Sequence, residues 1–332
     1  MSVISISKDQ SLRLKGIAIL MMLFLHLFNR MSLVQQCECF LYVGETPLVN
    51  WLSRAANPVW LYLFLSGYGY SIRRKSLNDV CKSIFNIYLH WWVVLLFAFP
   101  LGLWLNTAKF NISDIWENIS AWNPTYNSEL WFLFPFVLLI LCQTVIFRLQ
   151  EKIGNKLYSI LVLLVYAFCL FVFSVYGEDV VNDFSHILWI FLMVLYMFVP
   201  FSFGILFASI KHQTSNITIL LLLVLTIVVK CSLTSSIWSV LYWIPFFLCF
   251  VFLLASIRYP MWLGKLLLSL GEHSLSMWFI HSFICYHIFS NQLYALKYPL
   301  LIFVVLVGIS YLAAVAVDRI VKDAIAICKN NF

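Results

Sequence analysis

Apolar residues run in long blocks separated by short polar segments, with neither the two-residue alternation of a half-buried strand nor the one-sided stripe of a surface helix. Block after block approaches the roughly 20 residues needed to cross a bilayer as a helix. The runs are continuous, so helices rather than a barrel are predicted. The pattern places membrane-spanning helices at Leu14 to Val34, Trp51 to Ile72, Ile84 to Trp104, Leu130 to Phe147, Leu157 to Tyr176, Ile187 to Ile210, Ile217 to Val229, Ile237 to Ile257, Leu275 to Phe289 and Pro299 to Val321. The expected fold is all-α: about ten transmembrane helices in a single transmembrane domain, 1–332, with no soluble domain. The first run lacks a small-residue cleavage site and leads into further spans, so it is expected to stay in the chain.

Composition supports this reading. Hydrophobic residues make up 63% of the 332 and charged residues only 11%, against roughly 25% charged in a soluble domain. Charge then sets the orientation. With the N-terminus inside, only five of the 21 Lys and Arg residues fall in outer segments: Arg30, Arg54, Lys109, Lys230 and Lys297. That bias is the one expected of cytoplasmic loops. It requires an even number of spans, with both termini cytoplasmic. The formal charge of +7 therefore reports topology and contact with anionic membrane lipids, not nucleic-acid binding.

The nine cysteines are scattered, mostly inside the apolar runs, where a thiol packs as a small hydrophobe. Cys37 and Cys39 fall in an outer loop, and their spacing fits neither a zinc site nor a disulfide framework. The longest outer polar segment, about Asn106 to Glu129, carries Trp116, Trp122 and Tyr126. It reads either as a cap over a site or as an aromatic belt at the interface.

Polar groups inside apolar spans carry the most information, because burying them in hydrocarbon is costly. Lys15 and His26 lie eleven residues apart in the first span. That spacing is three turns plus roughly 20°, so both share one face, with His26 about 16 Å further along. A lone histidine there is either a satisfied packing group or a working one; the lysine on the same stripe favours work. The second span ends Phe64-Leu65-Ser66-Gly67-Tyr68-Gly69-Tyr70, followed by Arg73-Arg74-Lys75. Ser66, Gly67 and Gly69 let a neighbouring helix or an extended ligand approach the backbone. The basic cluster is either a topology signal or a phosphate grip. Glu129, at the start of the fourth span, either sits in interfacial water, orients a histidine or binds a polar acceptor. In the ninth span Ser274, Trp278 and His281 recur at i, i+4 and i+7 and line one face. No H-x-x-x-H or carboxylate–histidine spacing is present, so no metal is expected.

These residues resemble the integral-membrane acyltransferases of acyltransferase family 3, which modify sugars of cell-surface polysaccharides. Three elements carry the resemblance. The family's basic residue, ten spacers and histidine correspond to Lys15 and His26 within Leu14-Lys15-Gly16-Ile17-Ala18. Its F-x-x-S-G-F-type element resembles Phe64 to Tyr70. Its L-G-x-x-S…Y-L-x-H element resembles Leu270 to His281, with Trp278 where tyrosine is usual. The family's arginine pair at the start of the third helix is reduced to the single cation of Lys82-Ser83-Ile84-Phe85-Asn86, and the common aspartate before the first-helix motif is absent.

The resemblance implies a ten-helix protein of the bacterial inner membrane that moves an acyl group, most often acetyl, from cytoplasmic acetyl-CoA to a hydroxyl of a sugar or lipid-linked glycan. Lys15, Arg73 and Arg74 are then expected to hold the donor's phosphates, with Ser66 and Gly67 beside its arm. His26 becomes the general base, an acyl-histidine relay being the alternative. His281, Trp278 and Glu129 become oxyanion or acceptor contacts. A flippase or exporter of lipid-linked sugars, without covalent chemistry, is the competing reading; it calls for helices broken near mid-membrane, for which Pro200 and Pro245 are candidates.

Overall fold

The computed structural model describes residues 6–107, 111–176, 186–209 and 259–330, with isolated positions between 221 and 257. The apolar blocks are α-helices throughout. Among the described residues five helices are long and apolar enough to cross a membrane: α1 (Lys8–Phe28), α5 (Leu77–Leu105), α8 (Gln143–Tyr176), α9 (His186–Ser209) and α13 (Pro299–Asn330). The other described helices are α2 (Met31–Val34), α3 (Leu48–Ser53), α4 (Pro58–Ile72), α6 (Ile115–Ser120), α7 (Leu133–Leu141), α10 (Met261–Glu272), α11 (Ser274–Ser282) and α12 (Ser290–Tyr294). The seventh and eighth predicted spans fall largely outside the described residues.

Several predicted boundaries move for identifiable reasons. The span expected from Trp51 to Ile72 divides into α3 and α4, because Pro58 offers no N–H and biases Asn57 toward extended backbone. The helix restarts with Pro58 at its first position. The expected fourth span becomes α7 plus the first part of α8. The polar connection after it shrinks to Gly154, whose φ of 76° and ψ of 162° break α8. Only glycine takes that conformation cheaply. α10 was not foreseen as a helix. Its apolar positions are interrupted by Gly264, Lys265 and Ser269, and only Gly264, Leu267, Leu270 and Gly271 are buried.

The chain forms two compact units that interleave in sequence: Met1–Ser7, Val59–Lys82 and Trp131–Arg258 in the first, Lys8–Pro58, Ser83–Leu130 and Tyr259–Phe332 in the second. In the first unit α4 and α9 touch backbone to backbone. A methyl group on Gly67 would lie 1.9 Å from the Phe201 carbonyl oxygen, and one on Gly204 2.1 Å from that of Phe64. Small residues permit this approach where lipid supplies no hydrophobic drive between helices. Buried polar tips are matched: Trp60 Nε1 donates to Tyr196 Oη at 2.9 Å, and the Tyr158 and Ser202 hydroxyls lie 2.7 Å apart.

The second unit repeats the device between α1 and α10. A methyl on Gly16 would meet the Leu267 carbonyl oxygen at 2.1 Å, and one on Gly271 that of Leu12 at 1.9 Å. Gly271 meets Leu12 and Gly16, and ten residues further on His281 meets His26, ten residues past Gly16, so α10 and the segment after it run parallel to α1. The chain then bends at His273 (φ −95°, ψ 3°) into α11, which continues as a π-helical turn over Phe283–Ile288.

The segment read as either a cap over a site or an aromatic belt folds back along α5. The Asn118, Ile119 and Ser120 carbonyls at the end of α6 accept from Trp91 Nε1 (2.7 Å), Trp92 Nε1 (3.0 Å) and Tyr88 Oη (2.7 Å). Those orphan carbonyls need donors, and α5 supplies them about 20 Å short of its own end. Asn118 ties the segment together: its amide donates to Asp114 O and Thr125 Oγ1 and accepts from the Tyr126 N–H, each at 2.8 Å.

Candidate active site

Within the second unit, titratable side chains gather around the last turn of α1. His26 is 7% exposed. Its Nδ1 lies 3.3 Å from Glu129 Oε2, inside ion-pair range but off hydrogen-bond alignment. Glu129 sits in the 3-10 turn Ser128–Leu130, where its backbone N–H donates to Asn127 Oδ1 at 3.2 Å. The Asn127 amide donates in turn to the Phe279 carbonyl at 3.3 Å, so the turn is fastened to α11. The second carboxylate oxygen of Glu129 lies 3.4 Å from Arg30 Nη2, and the Arg30 guanidinium stacks 4.6 Å above the Tyr286 ring. The Tyr286 hydroxyl donates to the His26 carbonyl, and that of Tyr294 to the Leu27 carbonyl at 3.0 Å. Asn50 Nδ2 donates to the Phe28 carbonyl at 2.7 Å. Three carbonyls at the end of α1 are thus held by side chains, and the His26 backbone is fixed.

His281 completes the centre. It is fully buried, and its ring meets His26 edge to face at 4.9 Å between centroids. Its Nδ1 lies 2.7 Å from the Trp278 carbonyl, which accepts, so the proton is on Nδ1. Nε2 is left as a buried lone pair with no hydrogen-bond partner among the described residues. In this tautomer His281 offers an acceptor and not a donor.

Of the site residues expected from sequence, His26, Glu129, His281 and Trp278 meet here. Lys15 lies on the same helix, half-buried, eleven residues before His26. Ser66, Gly67, Arg73 and Arg74 belong to the first unit. There the Ser66 hydroxyl donates back to the Tyr62 carbonyl at 2.8 Å, and Gly67 is taken up by the approach of α9, so the small side chain admits a helix. Arg74 pairs with Glu151 at 2.5 Å over the Phe147 ring, both side chains about half exposed. A pair exposed to that degree contributes at most about 1 kcal/mol and leaves the arginine exchangeable. Among the described residues no group of three His, Cys, Asp or Glu side chains is placed to hold a metal.

Sequence reasoning missed Arg30 and Tyr286. Arg30 was counted as one of few outer cations, and that scarcity was itself a signal. Tyr286 is placed by the π-turn, whose register no 3.6-residue pattern reveals.

The chain is thus a predominantly helical protein, with several helices apolar enough to span a membrane, that buries a histidine–carboxylate pair beside a second histidine. A family model described as an acyltransferase domain, acyltransferase family 3, matches residues 13–319, and the chain belongs to that family. No curated protein and no solved structure matches it. The protein is thus a membrane acyltransferase, which sets aside the flippase reading.

Proposed function

We propose that the protein is an O-acyltransferase of a bacterial inner membrane, moving an acetyl group from cytoplasmic acetyl-CoA to a hydroxyl of a cell-surface sugar or of its lipid-linked precursor. The observation that carries the reading is His26: buried, backed by Glu129 and Arg30, and 4.9 Å from His281. Arg30 faces the Glu129 carboxylate with the opposite charge. In the reaction a carboxylate this close to Nδ1 favours the tautomer with the proton on Nδ1, which leaves Nε2 as the base. His26 Nε2 takes the proton of the attacking hydroxyl as its oxygen adds to the thioester carbonyl carbon. The carbon–sulfur bond then breaks, and the thiolate leaves with the proton that His26 carried. The lone pair on His281 Nε2 orients that hydroxyl by accepting from a neighbouring hydroxyl of the same sugar.

Lys15, on the His26 helix, is assigned to the donor's phosphates. Arg73 and Arg74 carry the same assignment as a separate proposal. Purified protein with Arg73→Ala and Arg74→Ala together is expected to show a raised KM for acetyl-CoA at unchanged KM for the acceptor. An unchanged donor KM would leave that pair as topology charges.

Transfer of label from acetyl-CoA into the glycan or glycolipid fraction of membranes tests the reading as a whole. Label is expected there with the natural His26 and not with His26→Ala at equal membrane abundance. Full incorporation by His26→Ala would overturn it.

A further inference from the structure

A second polar cluster lies in the same unit, and the chemistry above does not use it. His273, at the bend between α10 and α11, places Nδ1 2.5 Å from Asp318 Oδ2 on α13. The Ser276 hydroxyl donates to the other oxygen, Oδ1, and His90 Nε2 on α5 stands 3.5 Å from it. His90 Nδ1 lies 2.6 Å from the Asn86 carbonyl, which fixes the ring beside Asp318. Tyr311 packs edge-on to the His273 ring at 5.4 Å, with its hydroxyl 2.7 Å from Ser269 Oγ.

The carboxylate fixes the His273 tautomer: Nδ1 carries the proton and Nε2 presents a lone pair. The His273 and Asp318 side chains each stay 22% exposed, so the pair is not sealed inside the protein. A histidine and a carboxylate are costly to keep among apolar spanning helices, and such groups ordinarily serve a ligand. Three features place the ligand. His273 is eight residues from His281 along α11, a rise of about 12 Å. It lies on the side of His281 nearer α10, which carries Lys265. Arg319 and Lys322 follow Asp318 on α13, so the cluster is at the basic end of its helices.

We propose that the His273–Asp318 pair, steadied by His90 and Ser276, is the subsite for the polar stretch of the donor's pantetheine arm. His273 Nε2 accepts a hydrogen bond from the amide N–H or hydroxyl of the pantoyl unit while the thioester lies at His26. The inference rests on the acyl-CoA reading given above. An extended arm puts its pantoyl hydroxyl and the adjoining amide about as far from the thioester as His273 is from His281. The arm would otherwise carry unpaired N–H groups into an apolar interior. His273 and Asp318 are positioning residues, since they touch the donor away from its reacting atoms.

The test compares three acetyl donors on the full-length protein in lipid nanodiscs: acetyl-CoA, S-acetylpantetheine, and S-acetyl-N-acetylcysteamine, which lacks the pantoyl unit. The preference in kcat/KM for each pantoyl-bearing donor over the truncated one is the readout. His273→Ala is expected to lower both preferences by roughly three- to tenfold, one hydrogen bond's worth. His273→Gln, which returns an acceptor near the Nε2 position, should restore part of the loss and serves also if the alanine variant fails to fold. An acceptor KM that rises while donor preference stays unchanged would make the cluster an acceptor subsite and overturn the proposal. Unchanged preferences in both variants would overturn it as well. A wild-type protein that transfers from none of the three donors would refute the acyl-CoA reading itself, a distinguishable failure.

Discussion

At the scale of single residues, the centre depends on who holds which proton. His281 cannot supply an oxyanion donor while its Nδ1–H is given to the Trp278 carbonyl, so its use lies in accepting. His26 has its Nδ1 turned to Glu129 and its ring edge against His281. Removing the imidazole removes the base: His26→Ala should lower kcat by about 10²–10⁴-fold, measured as acetyl transfer at saturating donor. Glu129→Gln keeps the shape but loses the charge that Arg30 and His26 face. It should lower kcat by roughly ten- to a hundredfold and leave the donor KM near its starting value. An equal loss in kcat and gain in KM would mean that Glu129 binds substrate and does not orient His26. The histidines were legible in sequence because an ionisable group in an apolar run stands out. Their partners were less so. Arg30 and Tyr286 come from a loop and a π-turn, where spacing gives no face, and His90 with Asp318 pair across more than two hundred residues of chain.

At the scale of elements, glycine decides the packing. Both motif glycines that sequence singled out near a signature serine or lysine turn out to be contact points between backbones: Gly67 against Phe201, Gly16 against Leu267. The long spans α1, α5, α9 and α13 were readable to within several residues, because length and apolar run settle a spanning helix. The breaks at Asn57-Pro58 and Gly154 follow from local backbone chemistry that a hydropathy reading averages away. The return of the 111–127 segment along α5 was illegible, since it is set by aromatic N–H and O–H donors meeting α6 carbonyls. Gly67 and Gly69 give a matched test. A methyl on Gly67 collides with backbone, whereas among the described residues nothing lies within 4 Å of one on Gly69. Gly67→Ala should destabilise the protein by about 1–3 kcal/mol, read as a lowered midpoint of thermal unfolding in detergent. Gly69→Ala should be neutral or slightly stabilising, as alanine favours a helix interior. Equal midpoints for the two would mean that α4 and α9 do not meet there.

At the scale of the whole molecule, the distribution of cations predicts which ends face the cytoplasm, and four cysteines report on it. Cys37 and Cys39 belong to the segment read as outer, as does the Lys297–Glu38 ion pair at 3.1 Å. Cys81 and Cys328 are exposed and belong to segments read as inner. In variants that keep one of these cysteines alone, a membrane-impermeant maleimide added to intact cells should label Cys37 and Cys39, and should label Cys81 and Cys328 only after permeabilisation. The two outer thiols should also react slowly. Burial, and after it the neighbouring Cys39 thiol, push Cys37 up to about 11, and burial raises Cys39. A raised pKa means less thiolate at neutral pH, for Cys37 about a hundredfold less than for an ordinary thiol. Labelling of Cys37 should therefore climb about tenfold per pH unit between pH 7 and 9. Reaction of Cys81 from outside intact cells would reverse the orientation. The donor would then have to reach His26 from the opposite face, and the assignment of the basic end to acetyl-CoA would fall with it.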